Sequence, residues 1–337
     1  MPLRFGINGL GRIGRALVRV SFERPELDLE LAAVNDLAEA GQVARLLRHD
    51  TVHGGFPAPV EGKEDRLVLA GRAIPFSRAT APAAIDWRGA GVEMVVEATG
   101  RFRGHAAAAA HLGGSVRRVI LSATIPDADA TFCLGINQAS FDPARHRVVS
   151  NASCTTNCLA AVLAVVHPAF GVERALMNTV HCVTNSQNLV DMAHRDPRRA
   201  RSAVANIIPT TSDAFPSIEW VMPELAGRVH GLAMRVPIAA GSLVDVTVDL
   251  ATRARTEDLA AAFRAAERGA LAGILGTTDE ELVSADFIGD PRSAVVDLPL
   301  LQEVGGRLFR VVAWYDNEWG YTHRLAELLA ELARRGG

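Results

Sequence analysis

Lysine is nearly missing from this 337-residue chain: Lys63 is the single one, although Lys and Arg together number 35. Cationic work therefore falls to arginine, and chemistry through a lysine Schiff base is not expected. Cysteine is sparse too. Cys133, Cys154, Cys158 and Cys182 show no zinc-like pairing, because the nearest pair is Cys-x-x-x-Cys with no second pair and no neighbouring histidine ligands. No metal site is expected, and a disulfide scaffold does not suit a chain of this length. No apolar run approaches the ~18 residues of a membrane span, and no basic segment with a cleavage site precedes the first apolar strand. A cytoplasmic location without a membrane partner is the expectation. The net charge of −3, with arginines scattered along the chain, gives no case for nucleic acid. What remains is the composition of an ordinary globular protein, with length enough for two cores.

The first segment reads strand, glycine turn, helix. Leu3–Asn8 is apolar and short, Gly9-Leu-Gly11-Arg-Ile-Gly14 follows at once, and Arg15–Phe22 continues with helical spacing. Gly9 permits a tight turn, Gly11 lets the backbone approach a pyrophosphate, and Gly14 lets the helix pack closely on the strand. The next strand, Leu29–Val34, ends in Asn35-Asp36, where an acidic side chain would accept hydrogen bonds from an adenosine ribose and repel a 2′-phosphate. This pattern predicts an NAD site. Val92–Glu97 and Arg118–Leu121 continue a parallel sheet with alanine-rich helices between. Thr99, Gly100 and Ser122, at strand ends, fit either the wall of the cofactor crevice or ordinary turns.

Ser150-Asn-Ala-Ser-Cys154-Thr-Thr-Asn-Cys158 places a thiol between a strand ending at Val149 and an apolar helix through Leu159–Val166. A helix start offers unpaired N–H groups and the positive end of a dipole, which favour thiolate and bring a thiol pKa toward neutrality. The same donors stabilise an oxyanion on a carbon that the sulfur attacks. A lone Cys here also fits a small buried side chain. Beyond it the pattern turns β-rich: Arg174–Thr184, Gly231–Val236, Ser242–Leu250 and Leu308–Tyr315, with a helix from Thr256, read as its cap, to about Arg268. A last helix, Gly320–Arg335, carries leucines at helical spacing. His181, near a strand end, fits a half-buried core histidine, but it is also the best placed general base for Cys154. Arg195, Arg198, Arg199, Arg201 and Arg235 fit a solvated face or, with Thr184, an anion site.

Together these stretches resemble the glyceraldehyde-3-phosphate dehydrogenase family over essentially the whole length. The resemblance is carried by Gly6–Arg15, Asn35-Asp36, Ala98–Phe102, Ser150–Cys158, Asp196–Arg201, Ile207–Thr211, Arg235-Val-Pro237 and Trp314–Tyr321. It implies an α/β fold: a Rossmann-type NAD-binding domain, 1–152, completed by the C-terminal helix 318–337, and an α+β catalytic domain, 153–317, with a mostly antiparallel sheet. It implies that Cys154 forms a thiohemiacetal and then a thioester with His181 as base and acid, and that inorganic phosphate releases the acyl group. Arg12 and Ile13 match residues bordering NAD, and Asn317 matches the asparagine that orients the nicotinamide carboxamide. Thr184 and Arg235 match the substrate-phosphate subsite. Ser153, Thr155 and Arg199 match positions around the attacking phosphate or the shared anion pocket, and Ser212 still offers a hydroxyl there. The implied assembly is a homotetramer in which the segment from about Ser186 to Asn206 reaches a neighbouring subunit's cofactor.

The sequence also departs from the family pattern. Pro209-Thr-Thr-Ser212-Asp213-Ala-Phe215 carries an aspartate where a glycine is usual beside the inorganic-phosphate subsite. Two unit charges ~4 Å apart repel by roughly 4 kcal/mol at an effective dielectric of about 20, so an inward Asp213 would weaken phosphate binding. Val183 and Ser186 alter the sugar-phosphate side. Met192-Ala193 replaces Leu-Pro beside the ribose, which relaxes discrimination against NADP while Asp36 remains. An erythrose-4-phosphate dehydrogenase-like enzyme, with water resolving the acyl-enzyme, is the alternative expectation. A non-catalytic, NAD-responsive regulatory or RNA-binding protein is the minor one.

Overall fold

Continuous apolar runs become the buried parallel strands of the first of two units into which the chain divides in the computed structural model. The structure describes residues 1–212 and 214–336. The first unit takes residues 1–132, 138–152 and the last helix from Thr322 onward; the second takes 133–137 and 153–321.

In the first unit, Leu3–Asn8 lies inside a nine-stranded sheet, with Leu29–Asn35 on one side and Met94–Glu97 on the other, both parallel to it. Arg118–Leu121, Val148–Ser150 and Ala130–Thr131 extend the parallel side. Phe5, Ile7, Val95, Val96, Val119 and Ile120 have no exposed surface, which is why these strands read as uninterrupted apolar runs rather than alternating ones. On the other side Arg72–Ser77, Arg66–Leu69 and Val60–Lys63 form an antiparallel margin. Lys63 ends the outermost of these strands and is exposed. The first helix, Arg12–Glu23, begins directly after the glycine turn with Gly11 as its N-cap.

The second unit is built on an eight-stranded sheet. Its order runs Ile208–Thr210, Val229–Val236, Val172–Cys182, Ser242–Leu250, Leu308–Tyr315, Ala294–Asp297, Leu275–Thr278, with Gln302–Val304 paired to Leu308–Tyr315. Most neighbours are antiparallel; Val172–Cys182 with Val229–Val236 and Leu275–Thr278 with Ala294–Asp297 are parallel, so the sheet is mixed. Ser242–Leu250 alternates strictly, burying Val244, Val246, Val248 and Leu250, as a strand covered on one face should. The helix Cys154–Phe170 packs on this sheet and on two further helices, and is apolar almost all round because it is buried almost all round.

The helix Thr256–Arg268 starts one residue earlier than a Thr256 cap requires. Arg255 holds the cap position, and its amide is satisfied by the Asp258 carboxylate at 2.9 Å, so Thr256 is already helical. The last helix, Trp319–Gly336, is introduced by Asp316, whose Oδ1 accepts from the amides of Glu318 at 2.8 Å and Trp319 at 2.9 Å. Among the described residues no helix is long and apolar enough to cross a membrane, and no cluster of His, Cys, Asp and Glu is arranged to hold a metal ion.

Candidate nucleotide cleft and thiol site

The glycine turn has the geometry its spacing predicts. Gly9 sits at φ +97°, and a Cβ there would lie 2.7 Å from the Thr99 amide nitrogen. A Cβ on Gly14 would lie 2.0 Å from the Gly9 carbonyl oxygen, so helix and strand could not approach as they do. Gly11 differs: a Cβ there meets nothing within 4 Å, so it keeps open space clear at the start of a helix. Open space at a helix start and the positive end of the helix dipole together suit a pyrophosphate.

Asp36 is fixed beside this turn. Its Oδ2 accepts from the Leu10 amide at 2.6 Å and its Oδ1 from the Ala38 amide at 2.8 Å. Gly9, Gly11, Asp36 and Thr99 line one cleft of about 230 Å³, together with Asn8, Asn35, Leu37, Thr80, Arg101 and Phe102. Its size is below the ~300–1,000 Å³ of whole-ligand pockets, and suits one portion of a dinucleotide. Gly14, Arg12, Ile13 and Ser122 do not line it. Arg12 and Ile13 are half-buried on the first helical turn, where Arg12 pairs with Asp50 at 2.5 Å; Ser122 donates its amide to the Glu97 carbonyl at 3.0 Å. Thr80 and Leu37 carry no sequence signal, because their place depends on the loops that follow two separate strands.

Ala152, the last residue of its stretch in the first unit, and Ser153, which opens the second, lead into Cys154. Ala152 takes a left-handed conformation, φ +54°, unusual for a residue with a Cβ. Ser153 is the N-cap, its hydroxyl accepting from the Thr156 amide at 3.0 Å. Cys154 is the first residue of the helix, half-buried, with Sγ 3.4 Å from His181 Nε2. His181 stands at the end of Val172–Cys182, beside Arg235 on the parallel neighbour. His181 Nδ1 lies 2.8 Å from the Cys182 carbonyl, to which Arg235 also donates at 3.1 Å; the guanidinium touches Nδ1 itself.

The electrostatics differ from the local expectation. Burial raises the Cys154 thiol pKa, and the Arg235 charge and hydrogen bonds from Thr155 only partly offset it. Burial, and then the Arg235 charge, lower His181 to about 3. The resting pair is therefore neutral: a thiol facing an uncharged imidazole. The helix start favours a thiolate, but desolvation by the packed unit outweighs it.

Other candidates have hydrogen-bond partners of their own. The Thr155 hydroxyl bonds to Tyr315 at 2.9 Å, and Tyr315 bonds on to Thr179 at 3.0 Å. Thr184 bonds to Ser186 and Gln187. Arg199 donates to the Thr210 hydroxyl at 2.9 Å, and Ser212 Oγ accepts from the Ala214 amide at 3.2 Å. Asp213 lies outside the described residues. Asn317 Oδ1 accepts from Ser242 Oγ at 3.4 Å, and the same hydroxyl accepts from the Cys182 amide at 3.2 Å, so Asn317 is tied to the end of the His181 strand. Tyr315 and Ser242 were not singled out by the sequence; they reach the thiol helix and the His181 strand only through sheet pairing.

A glycine-turn parallel sheet in one unit and a cysteine–histidine pair in a sheet-rich second unit define a class: two-domain, dinucleotide-binding proteins with a thiol site. Residues 3–105 match the family model described as the NAD binding domain of glyceraldehyde 3-phosphate dehydrogenase, and 153–317 match its C-terminal domain. The chain is 45% identical over 333 residues to glyceraldehyde-3-phosphate dehydrogenase 1 of Bacillus cereus, covering 99% of each. It is 44% identical over 336 residues to glyceraldehyde-3-phosphate dehydrogenase of Geobacillus stearothermophilus, covering 100% of each. Against the Streptomyces coelicolor protein of that name it is 44% identical over 329 residues, covering 97% of this chain and 98% of the other. The chain belongs to the glyceraldehyde-3-phosphate dehydrogenase family.

Proposed function

We propose that this protein catalyses the NAD-dependent, phosphorylating oxidation of D-glyceraldehyde 3-phosphate to 1,3-bisphosphoglycerate. The observation that carries the reading is the 3.4 Å approach of Cys154 Sγ to His181 Nε2 at a capped helix start, in a chain whose relatives bear that enzyme's name.

Cys154 gives its proton to the neutral imidazole of His181 as Sγ attacks the aldehyde carbon, and His181 returns a proton to the oxygen, forming a thiohemiacetal. His181 then takes the hydroxyl proton as that carbon is oxidised to a thioester. Bound NAD supplies the two-electron acceptor for the hydride. Gly9, Gly11 and Gly14 admit it, with Arg12 and Ile13 bordering it; Asp36 holds its ribose, Thr99 and Ser122 wall it, and Asn317 orients its carboxamide. Oxygen of inorganic phosphate attacks the thioester carbonyl and expels the Cys154 thiolate, with Ser153, Thr155, Arg199 and Ser212 around the entering anion. Thr184 and Arg235 hold the phosphate of the sugar. The Asp36 carboxylate favours NAD, with NADP a poorer second cofactor.

The working form is a cytoplasmic homotetramer. Exposed Leu189, Val190, Met192, Val204 and Ile207 support this part of the reading, since they leave apolar surface on the segment expected to meet a second copy.

The test is NADH formation on glyceraldehyde 3-phosphate and erythrose 4-phosphate, each with and without inorganic phosphate. Strong phosphate dependence on the triose, abolished by Cys154→Ser, is the expected result. Phosphate-independent turnover, or preference for the tetrose, would transfer the assignment to the hydrolytic alternative.

A further inference from the structure

A relay of buried hydrogen bonds runs beneath the nucleotide cleft. Trp87 donates its indole N–H to His111 Nδ1 at 3.0 Å. An indole nitrogen is a donor only, so Nδ1 accepts, and the neutral ring carries its proton on Nε2. Nε2 stands 3.1 Å from Glu97 Oε2 and donates to it. The His111 side chain is 0% exposed and that of Glu97 2%, within a core of Val92, Val95, Ala108 and Val119. An ionisable pair in such a place persists only if its polar atoms are satisfied.

They are satisfied, and the partners are what matter. Glu97 Oε2 also accepts from Asn8 Nδ2 at 2.6 Å, while Oε1 accepts the Thr99 amide at 2.8 Å and the Thr99 hydroxyl. Four donors converging on one carboxylate suit its ionised form. The Asn8 carboxamide is thereby oriented, its Oδ1 accepting from Asn35 Nδ2 at 2.8 Å. Asn8, Asn35 and Thr99 line the cleft; His111 does not.

We propose that His111 is a positioning residue of the cofactor site: through Glu97 it fixes the Asn8 carboxamide and Thr99 against the bound nucleotide. The inference rests on the cleft taking NAD. Without the Nε2 donor, Glu97 Oε2 keeps Asn8 as its one side-chain partner, and the carboxylate that anchors Asn8 and Thr99 is held by three donors instead of four. Thr99 in turn backs the Gly9 turn.

The experiment uses the full-length protein carrying His111→Leu, which removes the hydrogen bonds, and His111→Gln, whose amide N–H can replace the Nε2 donor. For the Leu variant, the dissociation constant for NAD by calorimetric titration and the KM for NAD should both rise about tenfold, with kcat at saturating NAD changed less than about twofold. Gln should return both constants to within about threefold of wild type. A Leu variant that melts at lower temperature yet binds NAD as wild type does would overturn the inference, leaving His111 a structural residue. If the Leu variant does not fold, Glu97→Gln turns one of the two acceptor oxygens that hold Asn8 and Thr99 into a donor, and unchanged NAD binding in that variant overturns the inference equally. Wild-type protein that fails to bind NAD would defeat the cofactor reading instead.

Discussion

Arg235 acts on both members of the thiol–imidazole pair. Its charge pulls the Cys154 thiol pKa down against burial, and it adds to burial in holding His181 uncharged. Arg235→Gln should therefore move the Cys154 pKa further up and shrink the thiolate fraction at neutral pH. Alkylation of the ligand-free protein by iodoacetamide at pH 7 should slow several-fold, about tenfold for each pKa unit; an unchanged rate would show that the guanidinium does not govern the sulfur. The identity of the nucleophile was legible in Ser150–Cys158, because capping and helix start are local properties. The direction of its pKa was not, because burial is conferred by elements distant in the chain, such as Tyr315, 160 residues beyond Thr155.

The short link Ala152-Ser153 turns a strand end into a helix start. Ser153→Ala removes the acceptor for the Thr156 amide and should lower stability by about 0.5–2 kcal/mol, read as a fall in the urea midpoint without a change in slope. A midpoint equal to wild type would mean that water replaces the cap without loss. At this scale the glycine turn, the Asp36 strand end, Ser242–Leu250 and Leu308–Tyr315 were legible from spacing and alternation. The cap of Thr256–Arg268 is not legible locally: Thr256 is already helical, and the Asp258 carboxylate holds the Arg255 amide before it. The Trp87–His111–Glu97–Asn8 relay had no signature at all: Asn8 and Glu97, 89 residues apart, meet through strand pairing, and Trp87 and His111 reach Glu97 from outside the strands.

For the molecule as a whole, two buried groups set the acid side of the stability curve. His181 titrates at about 3 when folded and near 6.5 when unfolded, so between those values the unfolded chain holds the extra proton and stability falls as pH drops. Asp50 is raised by burial but held down to about 2 by the amides of His53 and Val52 and by Arg12. Its contribution is complete above ~3.9 and is lost as pH falls toward 2. The urea midpoint should thus decline from about pH 6.5 downward, more steeply below about pH 4. His181→Asn should flatten the decline between pH 5 and 7; an identical slope would show that His181 is not the group responsible.

Lys63 is the single side-chain primary amine, and it sits exposed at the end of the outermost strand of the first sheet. Four strand spacings, ~19 Å, separate that strand from Leu3–Asn8 and the glycine turn that follows it. Amine-directed coupling of side chains would therefore attach a dye at one known place on each copy, the far margin of its first sheet, away from the glycine turn.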